Sequence, residues 1–224
     1  MKFHIHTFGC QMNVADSGWL ARSLTALGWE QVVSQDPAEL AQVDCFIVNT
    51  CSVREKPEQK VYSQLGRYAP YHAKNPDLIV AVGGCVAQQI GTGFWERFPS
   101  VRLVFGSDGI AMAPQALVRL SKEPGLRVSL LDFTEEYAER DTGLTGMDKL
   151  PAQAFVTIMQ GCDNFCAYCI VPYVRGRQKS RSSKAVLAEC HQLVERGVKE
   201  ITLLGQNVNS YGQDKTGDGT SFAE

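Results

Sequence analysis

The sequence has no apolar run approaching the ~20 residues that a membrane-spanning helix needs. Its first residues, Met1-Lys2-Phe3-His4-Ile5-His6-Thr7, contain no apolar signal-peptide core. Net charge is also scarce: 22 Lys and Arg stand against 24 Asp and Glu in 224 residues, a balance of −2. No repeat at a solenoid period is visible, and no compositional bias marks the chain as disordered. These absences argue against a membrane protein, an exported protein, a repeat array and an unstructured tail. They lead to the expectation of a globular chain in the reducing cytoplasm, long enough for one large or two small domains. Cysteine, by contrast, is plentiful. Eight of them in a reducing compartment favour metal or redox chemistry over disulfides.

Three of the eight stand close together as Cys162, Cys166 and Cys169, spaced C-x3-C-x2-C, with Tyr168 just before the last. Three nearby thiolates can hold three corners of a [4Fe–4S] cube, whose full coordination takes four cysteines. The missing ligand points to an iron left open for an external group, as in catalytic rather than structural metal sites. Two other readings exist. The trio together with Cys190 or His191 could form a structural zinc site, although zinc pairs are usually C-x2-C at both ends. Disulfides are the other, with nothing in the chain to suggest export. Around the motif the order is informative: an apolar strand at Ala154 to Met159 enters the cysteine loop, and an extended Ile170 to Val174 leaves it. A helix over Ala185 to Arg196 and a strand over Glu200 to Leu204 follow. Strand, loop, helix, strand is how a parallel (β/α) barrel begins, and such barrels carry their sites in the loops after the strands.

The first part of the chain alternates differently but with the same logic. Strands are expected at 2–8, where residues alternate, at the apolar runs 45–49 and 78–82, and at 101–105 and 127–131. Helices are expected from Asn13 to Gly28, Arg54 to Tyr71, Gln88 to Phe98 and Met112 to Leu120. Continuously apolar strands between helices imply a parallel sheet covered on both faces, an α/β fold. The pattern lapses between 132 and 150, which reads as a linker between a domain at 1–131 and a partial barrel at 151–224. Residues 211–224 follow the second barrel strand without closing the barrel, so the chain reads as a fragment.

Cys10, Cys51 and Cys85 each come directly after an expected strand. In a parallel sheet the carboxyl ends of all strands share one edge, where ligands bind, so these distant thiols could converge there. Gly9, Gly83 and Gly84 would let the backbone bend closely around a cofactor. Asn49, Thr50 and Ser52 could donate hydrogen bonds to cluster sulfurs. Three buried, unligated cysteines remain the alternative, since cysteine is among the most buried residue types. Cys45, inside a strand, and Cys190, inside a helix, read as packing residues. His4 and His6 read as strand residues rather than ligands.

These motifs resemble a known family. Thr7-Phe8-Gly9-Cys10-Gln11-Met12-Asn13 with Asp16-Ser17, the run Asn49 to Lys56, and Gly83-Gly84-Cys85 are similar to the N-terminal domain of the methylthiotransferases. Gln160 to Arg177 and Gly205 to Ser210 are similar to their radical S-adenosylmethionine (SAM) domain. The Cys-Gln-Met-Asn tetrapeptide and the Ser52-Val53-Arg54-Glu55 continuation resemble the subgroup acting on N6-isopentenyl adenosine. The ribosomal-protein and threonylcarbamoyl-adenosine subgroups differ after the first cysteine.

The resemblance implies two [4Fe–4S] clusters. One would be held by Cys162, Cys166 and Cys169 and bind SAM, generating a 5′-deoxyadenosyl radical. An auxiliary one would be held by Cys10, Cys51 and Cys85 and carry the sulfur to be methylated by a second SAM. The product would be a methylthio group at C2 of N6-isopentenyl (dimethylallyl) adenosine at position 37 of tRNA. It further implies an electron donor such as flavodoxin or ferredoxin, a sulfur source, a monomer, and a C-terminal TRAM domain lying outside this chain. The chain alone is then expected to be inactive. Tyr168 is expected over the cluster or the SAM adenine, or in the core. Gln206 and Asn207 are expected as SAM contacts or as a hydrogen-bonded turn. Arg175, Arg177, Lys179 and Arg181 are expected against tRNA phosphates or as a solvated charged face.

Overall fold

A computed structural model describes residues 1–53, 56–140 and 151–224. The chain forms two compact units, Met1–Asp132 and Phe133–Glu224. Of the expected linker, residues 141–150 lie outside the described residues, as do Arg54 and Glu55 at the start of the second expected helix. Residues 133–140 belong to the second unit.

In chain order the first unit runs β1 (Lys2–Phe8), α1 (Gln11–Ala26), β2 (Glu30–Gln31), α2 (Pro37–Leu40), β3 (Cys45–Thr50), α3 (Pro57–Lys74) and β4 (Ile79–Gly84). It continues with α4 (Cys85–Ile90), α5 (Phe94–Arg97), β5 (Val101–Phe105), α6 (Ala113–Lys122) and β6 (Val128–Leu130). The strands form one sheet, ordered β2-β1-β3-β4-β5-β6, and every described pairing is parallel. Every residue of β3, β4 and β5 is buried, as expected of strands covered on both sides.

Period-two alternation divides these apolar runs between two cores. Cys45, Ile47, Ile79, Ala81, Leu103 and Phe105 pack with Leu20 and Leu24 of α1 and Leu117 and Leu120 of α6. Phe46, Val48, Val80, Val82 and Val104 pack with Val61, Leu65 and Tyr68 of α3, Val86 of α4 and Phe94 of α5. The Phe46 and Tyr68 rings stack with centroids 4.0 Å apart. The first unit therefore forms helix, sheet and helix layers. One expected helix differs: instead of running from Gln88 to Phe98, helical structure starts at Cys85 and is interrupted by a 3-10 turn at Gly91–Gly93. Two glycines flanking one residue weaken an α-helix interior, which accounts for the interruption.

The second unit contains β7 (Gln153–Thr157), β8 (Met159–Gln160), α7 (Val171–Arg175), β9 (Lys179–Ser180), α8 (Ser183–Glu195) and β10 (Glu200–Leu204). Strands β7 and β10 pair in parallel, connected through α8, while β8 and β9 pair antiparallel. Val156, Ile158 and Met159 meet Val186 and Leu193 of α8, with Val198 and Tyr211 completing the core. The Ser182 hydroxyl caps α8 by accepting the Ala185 N–H at 3.3 Å. The expected extended run Ile170 to Val174 is instead the short helix α7. Pro172 sits in its first turn, where a missing N–H costs nothing and the fixed φ favours helix, so a β-branched run does not become a strand.

Candidate metal centres

The sheet order places a topological switch at β1 and β3, because the chain leaves β1 for β2 on one side and returns to β3 on the other. Crevices at such switch points, outside the carboxyl ends of the strands, are where open α/β sheets bind ligands. Register brings three cysteines to this edge at one level. Phe8 pairs with Thr50, and Thr50 with Gly84, so Cys10, Cys51 and Cys85 follow three strand ends standing side by side. Cys51 and Cys85 are buried and Cys10 is half-buried. The Cys51 thiol hydrogen-bonds the Cys10 thiol, and this contact together with burial pushes its ionisation well above the ordinary range. A backbone contact from Val53 opposes the shift, and the neighbouring Cys85 and Cys10 add to it. The structure thus brings together the three residues that sequence order keeps 41 and 34 positions apart.

The turn before Cys85 depends on glycine. Gly84 has φ 88° and ψ −159°, a region open essentially to glycine alone. A Cβ there would overlap the Thr50 carbonyl oxygen and lie 2.7 Å from Asn49 Oδ1. Close approach of β4 to β3 therefore brings Cys85 beside Cys51.

Asn49, Thr50 and Ser52 differ from the expected set of sulfur donors. Asn49 Nδ2 is committed to the Asn13 carbonyl and Ser17 Oγ, both at 3.0 Å. The Thr50 hydroxyl donates to the Gly83 carbonyl at 2.7 Å. Both are fastened to protein, so neither donor is directed at a ligand. Ser52 behaves differently: its buried hydroxyl has no hydrogen-bond partner among the described residues. A buried hydroxyl left unpaired is costly, and this one adjoins Cys51. Three soft thiols around a glycine turn with an unused donor beside them suit an iron–sulfur cluster.

Among the described residues no three His, Cys, Asp or Glu side chains are arranged to hold one metal ion. A cubane makes a different demand, one thiolate at each of several separate corners. Cys45 is fully buried within β3, and burial pushes its thiol up. Cys190 is half-buried on α8, where burial also raises it. Neither joins a trio. His4 hydrogen-bonds the Val32 carbonyl at 2.8 Å through Nδ1, and burial holds His6 below its usual range. Both are strand residues.

The second trio stands on the loop after β8. Cys162 is buried, Cys169 half-buried and Cys166 exposed. The Cys169 N–H closes a turn onto the Cys166 carbonyl at 2.9 Å, and Phe165 between them has a left-handed backbone, φ 45°. The loop is pinned near its base. The Gly161 N–H donates to Gln206 Oε1 at 2.6 Å, and Cys162 N–H to the Gly176 carbonyl at 3.3 Å. Asp163 accepts the Gln178 N–H at 3.0 Å and pairs with Arg177 Nε at 2.8 Å.

Gln206, expected as a SAM contact or a turn residue, thus holds the start of the cysteine loop. The Asn207 carbonyl accepts the Ser210 N–H in a turn. Tyr168 is 94% exposed, which removes the core-packing alternative. Asp163 and Gln178 were not singled out by sequence reasoning. No local pattern marks them, because their partners lie 14 and 15 residues away.

The basic run is not a solvated face. Arg175, Lys179 and Arg181 are buried. Arg181 pairs with Glu139 at 2.8 Å and Glu189 at 2.6 Å and donates to the Thr157 carbonyl, while Lys179 Nζ donates to the Thr134 carbonyl at 3.2 Å. Burial and these bonds direct three of the four cations inward. Arg177 alone of the four is exposed, and its guanidinium lies over the Phe165 ring at 5.4 Å.

Residues 2–106 match the family described as Uncharacterized protein family UPF0004, and residues 156–216 match the Radical SAM superfamily. The chain is 65% identical over 222 residues to the tRNA-2-methylthio-N(6)-dimethylallyladenosine synthase of Nitratidesulfovibrio vulgaris, covering 99% of this chain and 48% of that protein. It is 63% identical over 221 residues to the protein of that name in Oleidesulfovibrio alaskensis, covering 99% and 46%. In Lawsonia intracellularis the corresponding figure is 55% over 231 residues, covering 99% and 49%. The chain therefore spans about half the length of the curated relatives it matches.

Its fold is similar to that of the radical S-adenosylmethionine methyltransferase TsrM from Kitasatospora setae, solved with cobalamin and a [4Fe-4S] cluster bound. The TM-score is 0.55 at 14% identity, over 93% of this chain and 49% of that one. At such identity the likeness concerns the fold alone. A parallel-sheet UPF0004 domain followed by the beginning of a radical SAM domain, with this identity to its relatives, shows that the chain belongs to the methylthiotransferase family of radical SAM enzymes.

Proposed function

We propose that the chain carries the two cluster-binding regions of a tRNA methylthiotransferase acting at C2 of N6-isopentenyl (dimethylallyl) adenosine at position 37. The observation that carries this reading is the convergence of Cys10, Cys51 and Cys85 at one sheet edge, in a chain that also holds Cys162, Cys166 and Cys169 on a single loop. A radical generator needs one open cluster; methylthio transfer needs a second place for sulfur. The names of the relatives supply the substrate class. An adenine C2–H is too weakly acidic for general base catalysis, so a radical route suits the reaction.

Cys162, Cys166 and Cys169 would hold the SAM-binding [4Fe–4S] cluster, and Cys10, Cys51 and Cys85 the auxiliary one. When bound, these groups and SAM supply hydrogen abstraction, sulfur and the methyl group. The chain's own residues orient and enclose them. Gln206 and Asp163 hold the cysteine loop at its base. Tyr168 presents an exposed ring beside Cys169, suited to the flat adenine of SAM. Asn207, in the turn after β10, stands where barrel enzymes place ligand contacts. Thiols that hold their protons, as Cys51 does, must release them to bind metal. Arg177 is the member of the basic run retained as a tRNA phosphate contact, because Arg175, Lys179 and Arg181 are buried. A cytoplasmic monomer served by a flavodoxin- or ferredoxin-type electron donor and a sulfur source completes the reading.

Nucleoside analysis of tRNA from a strain lacking the gene tests the substrate. The methylthio nucleoside should vanish and N6-isopentenyl adenosine should accumulate. An unchanged methylthio signal would refute the assignment and return attention to a ribosomal-protein aspartate or threonylcarbamoyl adenosine. A colourless, zinc-containing protein without acid-labile sulfide after anaerobic reconstitution would favour a non-catalytic RNA-binding module.

A further inference from the structure

The carboxyl ends of β1 and β3 are joined by side chains rather than by strand pairing alone. Asn13 and Thr50 are fully buried, and Asn49 nearly so. Asn13 Nδ2 donates to Asn49 Oδ1 at 3.0 Å and to the Thr50 carbonyl at 2.9 Å. Asn49 Nδ2 returns the bond to the Asn13 carbonyl at 3.0 Å and reaches Ser17 Oγ at 3.0 Å. Ser17 Oγ in turn accepts the Thr7 hydroxyl at 2.7 Å. On its other side, Asn13 Oδ1 accepts the Cys10 N–H at 3.3 Å and the Cys10 thiol at 3.4 Å. Both hydrogens of each amide are used, which fixes the orientation of both side chains. Gly9 leaves the space that Asn13 fills, since a Cβ at position 9 would overlap the Asn13 side chain. The peptide groups next to Cys10 and next to Cys51 are therefore both tied to Asn13. Thr50 carries the chain of bonds onward to the Gly83 carbonyl, two residues before Cys85.

We propose that the reciprocal Asn13–Asn49 amide pair is a positioning device for the auxiliary cluster, setting the separation of the Cys10 and Cys51 sulfurs before iron arrives. This rests on the assignment of Cys10, Cys51 and Cys85 as cluster ligands. The two asparagines touch neither substrate nor reacting atoms. They act by holding two ligand loops at one spacing, as outer-shell partners do at other metal sites. Aspartate cannot substitute, because at position 13 a carboxylate would face two acceptors, Asn49 Oδ1 and the Thr50 carbonyl.

The test uses the full chain with Cys162, Cys166 and Cys169 changed to Ala, so that only the auxiliary site can load. This protein is reconstituted anaerobically with ferrous iron and sulfide, and iron retention is titrated against a chelator. Asn13→Asp and Asn49→Asp are compared with the gentler Ser17→Ala and with Leu20→Ala, a buried core residue of α1 outside the amide network. Thermal unfolding of each metal-free protein is measured alongside. The expected result is iron retention weakened about tenfold or more in the two Asp variants. Ser17→Ala should show a smaller loss, and Leu20→Ala should retain iron despite lower metal-free stability. Retention by the Asp variants equal to the parent, or an equal loss in Leu20→Ala, would overturn the positioning role. A parent that takes up no iron would instead refute the ligand assignment itself.

Discussion

Replacing Gly84 by alanine separates a local turn from a close approach of two strands. The ε-like backbone at Gly84 costs a non-glycine residue about 1–3 kcal/mol. Alanine adds a second cost, because its Cβ overlaps the Thr50 carbonyl oxygen. Relief requires β4 to move from β3, loosening the 2.7 Å bond from the Thr50 hydroxyl to Gly83, which is worth about 1 kcal/mol. Together these give about 2–4 kcal/mol of destabilisation. Gly28 is the control. It has a similar φ of 84°, yet no atom lies within 4 Å of its would-be Cβ, so Gly28→Ala should cost about 1–2 kcal/mol. Urea unfolding followed by tryptophan fluorescence reads the first unit selectively, since Trp19, Trp29 and Trp95 all lie within it. If Gly84→Ala costs no more than Gly28→Ala, the close approach that sets Cys85 beside Cys51 is not a determinant of the site.

Two further predictions concern the second unit. Removing the buried cation in Arg181→Ala strands Glu189 and the Thr157 carbonyl and should cost about 3–5 kcal/mol. Glu139, half exposed in its pair with Arg181, should cost below about 1 kcal/mol on truncation. Hydrogen exchange of the α8 amides reads both, and equal effects would refute the buried-pair argument. Acid sensitivity is the other. Burial works to raise the Asp214 carboxyl, but bonds from Ser180, Thr216 and Gln178 outweigh it and hold it below the usual range. The Ser183 N–H and Thr220 hold Asp218 at about 2. Both folded values are depressed, so their stabilisation is present above the unfolded pKa of about 4 and is lost as pH falls through the folded values. Stability of residues 178–220 should fall from about pH 4 towards pH 2, and the Asp214→Asn, Asp218→Asn double variant should flatten that dependence.

Strands with uninterrupted apolar runs were the legible part of the fold. The apolar runs 45–48 of β3 and 79–82 of β4 are buried on both faces and carry that signal, while β1, β5 and β10 match their expected bounds despite the polar residues Lys2, His4, His6, Arg102, Glu200 and Thr202. β2, two exposed residues long, carries no such signal. The helix at Val171–Arg175 is hidden by β-branched neighbours and revealed only by the position of Pro172. Placement of cysteines after strands is a topological property and can be read from order alone. The inward turn of Arg175, Lys179 and Arg181 cannot, since the acidic partner Glu139 of Arg181 lies 42 residues upstream. Asn13 is a mixed case: an amide three residues after an N-cap suggests local capping, but its bonds to Asn49 and Thr50 depend on the β1–β3 register.

Iron and acid-labile sulfide counted after anaerobic reconstitution test the two-centre account most directly. The chain should bind about eight iron and eight sulfide, two cubanes. Changing either trio, Cys10/Cys51/Cys85 or Cys162/Cys166/Cys169, to Ala should leave about four of each, while Cys45→Ala and Cys190→Ala should leave the full complement. Four iron in the unaltered chain, unaffected by loss of Cys10, Cys51 and Cys85, would contradict the account.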